Sequence, residues 1–164
     1  MEIRELTDNE LESLLELYVQ LSEVNKNYSY EKSLDVWKSE IEGNKNIKYF
    51  GAVEDGKVLA TCYCAIIPNL TNGARPIGFI ENVITHKDYR RQGLAKKVID
   101  AAVEFAKTNN CYKVFLESGI TRTEAHKFYE KIGFESGQKK AFLKWFKGYC
   151  VIMVVWKISL LLKK

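Results

Sequence analysis

The sequence predicts an α/β domain in which strands and helices alternate along a single 164-residue chain. Three observations carry that expectation. Stretches of period-two alternation trade places with stretches whose apolar residues recur every three or four positions. An Asp-Gly pair at 55–56 separates two alternating runs, as a tight hairpin requires. Residues 80–97, IENVITHKDYRRQGLAKK, pass from a strand pattern through a basic, glycine-bearing turn into an amphipathic helix.

Residues 2–6 alternate like a short strand. Thr7 or Asp8 can cap the helix that follows, on which Leu11, Leu14, Leu15, Tyr18 and Leu21 share one face. Residues 30–43 place Leu34, Trp37 and Ile41 at helical spacing, with Gly43 as the stop. Residues 47–53 and 58–67 form the hairpin, and residues 68–76 form a loop bounded by two prolines. A strand over 77–85 leads into a helix over 93–109 whose core face is Val98, Ile99, Ala102, Phe105 and Ala106. Residues 112–117 alternate again, 121–132 form a shorter helix ended by Gly133, and 134–136 with 141–146 are expected to close the sheet as a strand pair.

Composition narrows the classes of function. At 46% hydrophobic residues the chain can bury a full core without staples. Its net charge of +4 is unevenly placed: residues 139–164 hold seven lysines and no acid, so residues 1–138 carry 18 basic and 21 acidic groups. A body at −3 argues against a nucleic-acid surface and leaves the basic residues of 90–97 as a local anion site. Cys62, Cys64, Cys111 and Cys150 form no C-x-x-C pair, and with His86 and His126 the only histidines, no metal site is expected. Cys62 and Cys64 share one strand face and read as reduced, buried thiols. The acidic, polar start MEIRELTDNELE is unlike a secretory leader, so a cytoplasmic location is expected.

The basic turn has the chemistry of a phosphate cradle. Amides in a first helical turn lack intrahelical partners, so those of Arg91, Gln92, Gly93, Leu94, Ala95 and Lys96 can face an anion. Gly93 allows close approach, Ala95 keeps the surface small, and Arg90, Arg91 and Lys96 add charge of the same sign as the helix dipole. A solvated helix start is the plain alternative for the same residues.

Arg90-Arg91-Gln92-Gly93-Leu94-Ala95 resembles the Arg/Gln-x-x-Gly-x-Gly/Ala signature of the GNAT acetyltransferase superfamily. Downstream, residues 125–134, AHKFYEKIGF, are similar to that family's Ala-x-x-Phe-Tyr-x-x-x-Gly-Phe segment. The resemblance covers roughly residues 1–146, which it marks as the domain, and leaves 147–164 as an apolar and basic tail. It implies the acyl-CoA N-acyltransferase fold, a central mixed sheet flanked by helices, with acetyl-CoA as co-substrate. It also implies a fourth strand splayed from the fifth, with Val83, Ile84 and Thr85 binding the pantetheine arm and the Val83 amide near the thioester oxygen.

Glu81 precedes Val83 by two, so regular alternation would send both to one face. A carboxylate in the apolar run 79–84 is expensive to bury without purpose, which makes Glu81 the candidate base; an edge glutamate paired with Arg75 or Lys113 is the structural reading. Glu81-Asn82 is similar to a Glu-Asp pair in sugar-acetylating members of the family, with Asn82 replacing the acid. By resemblance Tyr129 is the general acid toward the CoA sulfur, although packing of Phe128, Tyr129 and Ile132 on the sheet accounts for it equally. Arg122 lies seven residues before Tyr129, where many relatives place an asparagine that contacts CoA.

The loop 68–76 is the expected specificity loop, with Asn69, Arg75 and neighbouring Asn82 as candidate substrate contacts. Residues 149–162, YCVIMVVWKISLLL, fall short of the ~20 residues of a spanning helix. Packing against protein, a dimer partner included, is favoured for that tail over a membrane surface. The expected activity is transfer of acetyl from acetyl-CoA to a primary amine of a small molecule, amino acid or peptide, by direct attack. A GNAT-fold module that binds acyl-CoA without catalysis is the alternative.

Overall fold

A computed structural model describes residues 1–144 and 146 of the chain. The backbone divides into two units, Met1–Phe134 and Glu135–Lys164. The first holds strands β1 (Glu2–Glu5), β2 (Ile47–Glu54), β3 (Lys57–Ile67), β4 (Ile77–Thr85) and β5 (Lys113–Leu116). Its helices are α1 (Leu11–Val19), α2 (Tyr30–Val36), α3 (Leu94–Thr108) and α4 (Thr123–Lys131).

The five strands pair in chain order, antiparallel from β1 to β4 and parallel between β4 and β5. This is the mixed sheet expected. At the β2–β3 hairpin Glu54 pairs with Lys57, and Asp55 and Gly56 take φ of 49° and 76°. That mirror-image turn matches the twist of the flanking strands, which is why Asp-Gly marks it.

Two cores form, one with α3 and one with α1. Leu94, Val98, Ile99, Ala102 and Ala106 of α3 meet Ala60, Cys62, Cys64 and Ile80 of the sheet. Leu11, Leu14 and Leu17 of α1 meet Trp37, Val53, Val58 and Ile84. Each fully buried aliphatic side chain stabilises the fold by about 1.5–3 kcal/mol. Leu17, rather than the expected Leu15, completes the buried stripe of α1, while Leu15, Tyr18 and Leu21 are half-buried beside it.

The N-terminus is fixed by a capping box: Thr7 and Glu10 satisfy one another's backbone donors at the turn Asp8–Glu10 that opens α1. Arg4 holds the Glu10 carboxylate with two bonds of 3.2 and 2.8 Å. Helix α2 ends before the expected Gly43; Trp37–Ile41 widens into a π turn, closed by the Glu42 N–H on the Trp37 carbonyl at 2.7 Å.

The expected closing strands are not formed among the described residues. The Phe134 N–H donates to the Tyr129 carbonyl at 3.0 Å, so the chain there completes the end of α4 instead of joining a ladder. Residues 135–144 and 146 carry no strand, and Phe142, Leu143 and Phe146 are exposed. Their apolar pattern alone does not make a strand; a ladder partner does. Residue 145 and the tail 147–164 lie outside the described residues.

Candidate functional site

Strand β4 is irregular where the candidate base sits. Tyr63 pairs with Glu81 and Thr61 pairs with Ile84, so β4 carries one extra residue across that interval. Asn82 absorbs it with φ of 53°, a left-handed conformation that asparagine tolerates better than most side chains. The bulge reverses the alternation. Ile80 and Val83 pack on the α3 side and Ile84 on the α1 side. Glu81 and Val83 therefore leave opposite faces of the strand, contrary to the expectation of a shared face, because a bulge shifts the pleat by one residue.

The β4–β5 ladder then stops. Its last pair is Ile80 with Leu116, which leaves β4 from Glu81 to Thr85 without a strand neighbour on that edge among the described residues. A cavity of about 220 Å³ opens at this point. Its lining includes Glu81, Asn82 and Val83 from β4, and Arg122 and Tyr129 from the start and body of α4. Leu21 beyond α1 and Glu117 after β5 complete it, and neither was anticipated from sequence. Glu117 follows the Ile80–Leu116 pair in parallel register, so strand pairing would have found it; Leu21 has no local signal. A second, more open hollow of about 300 Å³ at Thr121–Ala125 shares Arg122.

Within the cavity each group has a distinct environment. The Glu81 carboxylate accepts the Asn82 N–H at 3.1 Å. Burial pushes the Tyr129 phenol above its ordinary value; the nearby Arg122 opposes this, and Cys62 and Glu81 add to it. The Tyr129 ring also packs on the α3 core and lies 5.3 Å from Phe128 and 6.0 Å from Phe134. Core packing and a place on the cavity are thus both true of it.

Beyond Thr85 the chain makes the basic turn. His86 caps the short turn Lys87–Tyr89, and Arg90 Nε donates to the Thr85 carbonyl at 3.3 Å. Arg91 has φ of 62°, and Gly93, the N-cap of α3, has φ of 77°. A Cβ at Gly93 would meet nothing within 4 Å, so it is the backbone conformation, with open space before it, that calls for glycine. Leu94, Ala95 and Lys96 follow Gly93 as the first turn of α3, whose amides have no acceptor within the helix. Lys96 is bound to Asp100 at 2.6 Å along the helix. Thr85 Oγ1 is buried without a hydrogen-bond partner among the described residues, as is Ser118 Oγ after β5. An open cradle, a free strand edge and an orphaned hydroxyl in sequence fit a ligand with a phosphate end and an amide-bearing arm.

Other expected contacts lie elsewhere. Asn69 Nδ2 donates to the carbonyls of Thr71 and Arg75, and Arg75 donates to those of Asn110 and Cys111. Asn69 thus serves the loop's own backbone and Arg75 ties the loop to the segment between α3 and β5, and neither lines the cavity. His126 bonds the Gly119 carbonyl at 3.0 Å before α4. Cys62 and Cys64 are wholly buried; burial pushes the Cys62 thiol up and the Cys64 thiol to about 12.

Comparison with known proteins places this geometry. The sequence profile described as "Acetyltransferase (GNAT) family" matches residues 11–134. Glucosamine 6-phosphate N-acetyltransferase of Trypanosoma brucei brucei is 30% identical over 140 residues, covering 85% of this chain and 92% of that protein. The structure of a putative acetyltransferase from Agrobacterium tumefaciens superposes with a TM-score of 0.81 at 34% identity, covering 88% of this chain and 100% of that one. That of glucosamine-6-phosphate N-acetyltransferase from Arabidopsis thaliana gives 0.79 at 26% identity, covering 88% and 97%.

Proposed function

This chain belongs to the GNAT acetyltransferase family, with acetyl-CoA as its co-substrate, and from that premise we propose that it moves acetyl directly to a primary amine held against Glu81. The observation that carries the reading is the cavity at the end of the β4–β5 ladder, where Glu81, Val83 and Tyr129 meet.

An acetyl thioester is already activated, so the protein must position it, accept a proton from the amine and return one to sulfur. The amides of Gly93 to Lys96 hold the pyrophosphate, and the free edge of Val83, Ile84 and Thr85 holds the arm. The Val83 N–H stabilises negative charge on the carbonyl oxygen. Glu81 takes the proton as nitrogen attacks carbon. Tyr129, whose raised pKa keeps it protonated, gives its proton to the leaving sulfur. Direct attack is favoured because Cys62 and Cys64 sit in the core with thiols pushed up, so neither suits an acyl carrier.

Glu81 and Glu117 in the lining favour an acceptor that arrives as a cation. The relatives named for glucosamine 6-phosphate and for aminoglycosides make an amine carried on a sugar the first class to offer. The test is a screen of amines with acetyl-CoA, read as thiol release, followed by initial rates against both substrates. Intersecting double-reciprocal lines are expected; parallel lines, the mark of a covalent acyl-enzyme, would overturn direct attack.

A further inference from the structure

The turn that leads from β5 into α4 is gripped by a side chain to which the reaction gives no part. The turn runs from Gly119 to Arg122 and is closed by the Arg122 N–H on the Gly119 carbonyl at 2.9 Å. The His126 main-chain N–H donates to the Arg122 carbonyl at 3.1 Å, and its ring Nε2 bonds the Gly119 carbonyl at 3.0 Å. One residue of α4 thus holds both ends of the turn. Because a carbonyl only accepts, the proton of that ring bond sits on Nε2.

The ring bond supplies what the start of α4 lacks. Arg122 is the N-cap of the helix and makes no side-chain capping bond among the described residues, and none of the helix's nine residues is fully buried. A helix so short is marginal by itself, and the bond to Gly119 ties it to the preceding turn from outside the helical ladder. The stem of Arg122 lies over Gly119, where an added Cβ would stand 3.7 Å from the arginine Cδ. Holding Gly119 therefore holds Arg122. That arginine lines the cavity together with Val83 and Tyr129, and it also lines the hollow at the start of α4.

We propose that His126 is a positioning residue: through the Gly119 carbonyl it fixes the turn that sets Arg122 on the cavity wall, where the guanidinium meets acetyl-CoA. A guanidinium carries five donors in a fixed fork, which suits the carbonyl and phosphate oxygens of that ligand only if its stem is held in place. The consequence for acetyl-CoA rests on the function proposed above, while the consequence for the turn does not.

The test compares full-length wild type, His126→Ala, His126→Gln, Arg122→Gln and the double variant His126→Ala with Arg122→Gln. Alanine keeps the helix propensity and removes the ring; glutamine returns an N–H donor at a similar reach. In His126→Ala the Arg122 amide, followed by NMR, should exchange about 10-fold faster than in wild type. The Ile132 amide, bonded to the Phe128 carbonyl at 3.1 Å at the far end of α4, should be unchanged. Isothermal titration with acetyl-CoA should show a Kd about 10-fold weaker in His126→Ala and within about twofold of wild type in His126→Gln, with the double variant no weaker than Arg122→Gln alone.

Unchanged exchange at Arg122, or exchange quickened equally along all of α4, overturns the proposal. So does a glutamine that restores nothing, wild-type affinity in Arg122→Gln, or a double variant whose losses multiply. If wild type itself binds no acetyl-CoA, it is the functional reading that fails, and the exchange result then decides the hold on the turn by itself.

Discussion

Ile80 and Ile84, four residues apart on one strand, are buried in different cores, Ile80 against α3 and Ile84 against α1. Regular alternation would put both on one face. The single extra residue near Asn82 redirects every side chain after it, and it does so where β4 parts from β5. The bulge thus serves packing and the site at once: it buries Ile84 under α1 and brings the edge of Val83 to the cavity.

Asn82→Val should therefore cost on the order of 1–3 kcal/mol, since a β-branched side chain at φ of 53° is strained, whereas Asn82→Gly should stay within about 1 kcal/mol of wild type. Urea unfolding of both variants measures the gap. Equal stabilities would mean that the strand relaxes to a regular register at no cost.

Gly93→Asp should abolish measurable acetyl-CoA binding by isothermal titration. Nothing within 4 Å obstructs a side chain, so the protein itself accommodates it, at about 1–2 kcal/mol for the left-handed backbone. The carboxylate then stands before the first-turn amides and repels a pyrophosphate. Retained affinity in the folded variant would place the anion site elsewhere.

Much of this was legible in local pattern. Asp55-Gly56 announced its hairpin, the stripe of α3 announced its buried face, and the two glycine motifs marked the turn that opens α3 and the helix that carries Tyr129. What stayed hidden depends on residues distant in sequence. The bulge left only one trace, an asparagine inside an apolar run, and an unbroken pleat was assumed across it. Glu117 becomes visible only once β5 is registered against β4 in parallel, and Leu21 only once α1 is laid across the sheet. Residues 141–146 have a strand's composition, but strand formation depends on a partner that composition does not reveal.

The Arg4–Glu10 contact sets an acid limit on stability. Two bonds from Arg4, with help from Thr7, hold the Glu10 carboxyl down to about 2 despite burial, which acts to raise it. A depressed native pKa means that the unfolded chain takes up the proton first. The contribution is complete above the unfolded value of ~4.3 and is lost as pH falls toward 2. Glu10→Gln should lower stability at pH 7 by on the order of 2 kcal/mol, with a gap from wild type that narrows below pH 4. Thermal melts at pH 7, 4 and 2.5 measure it; a gap that does not change with pH would assign the effect to capping geometry rather than to charge.

Tyr129→Phe keeps the ring contacts with Phe128 and Phe134 and removes only the hydroxyl. Turnover should fall about 10- to 100-fold with acetyl-CoA affinity and Tm nearly unchanged. Because burial raises the phenol pKa, wild-type activity should show no loss assignable to Tyr129 below about pH 10. A variant with full turnover would leave Tyr129 a packing residue whose presence on the cavity is incidental.

Glu81→Gln retains the shape of the side chain and an oxygen to accept the Asn82 N–H, so the bulge should survive it. What it removes is the proton acceptor, and kcat/KM at neutral pH should fall by roughly 10²-fold or more. An amine with a reference pKa near ~10 is almost all ammonium at pH 7, and only the free base attacks. Without Glu81 the rate must follow the fraction of free amine, rising about tenfold per pH unit until it approaches the amine's own pKa. Wild type, able to take the proton within the complex, should level off at lower pH, so the two curves converge as pH rises. Thiol release measured from pH 6 to 10 resolves that convergence. Curves that run parallel throughout would mean that Glu81 acts by placing the amine and that the proton leaves by another route.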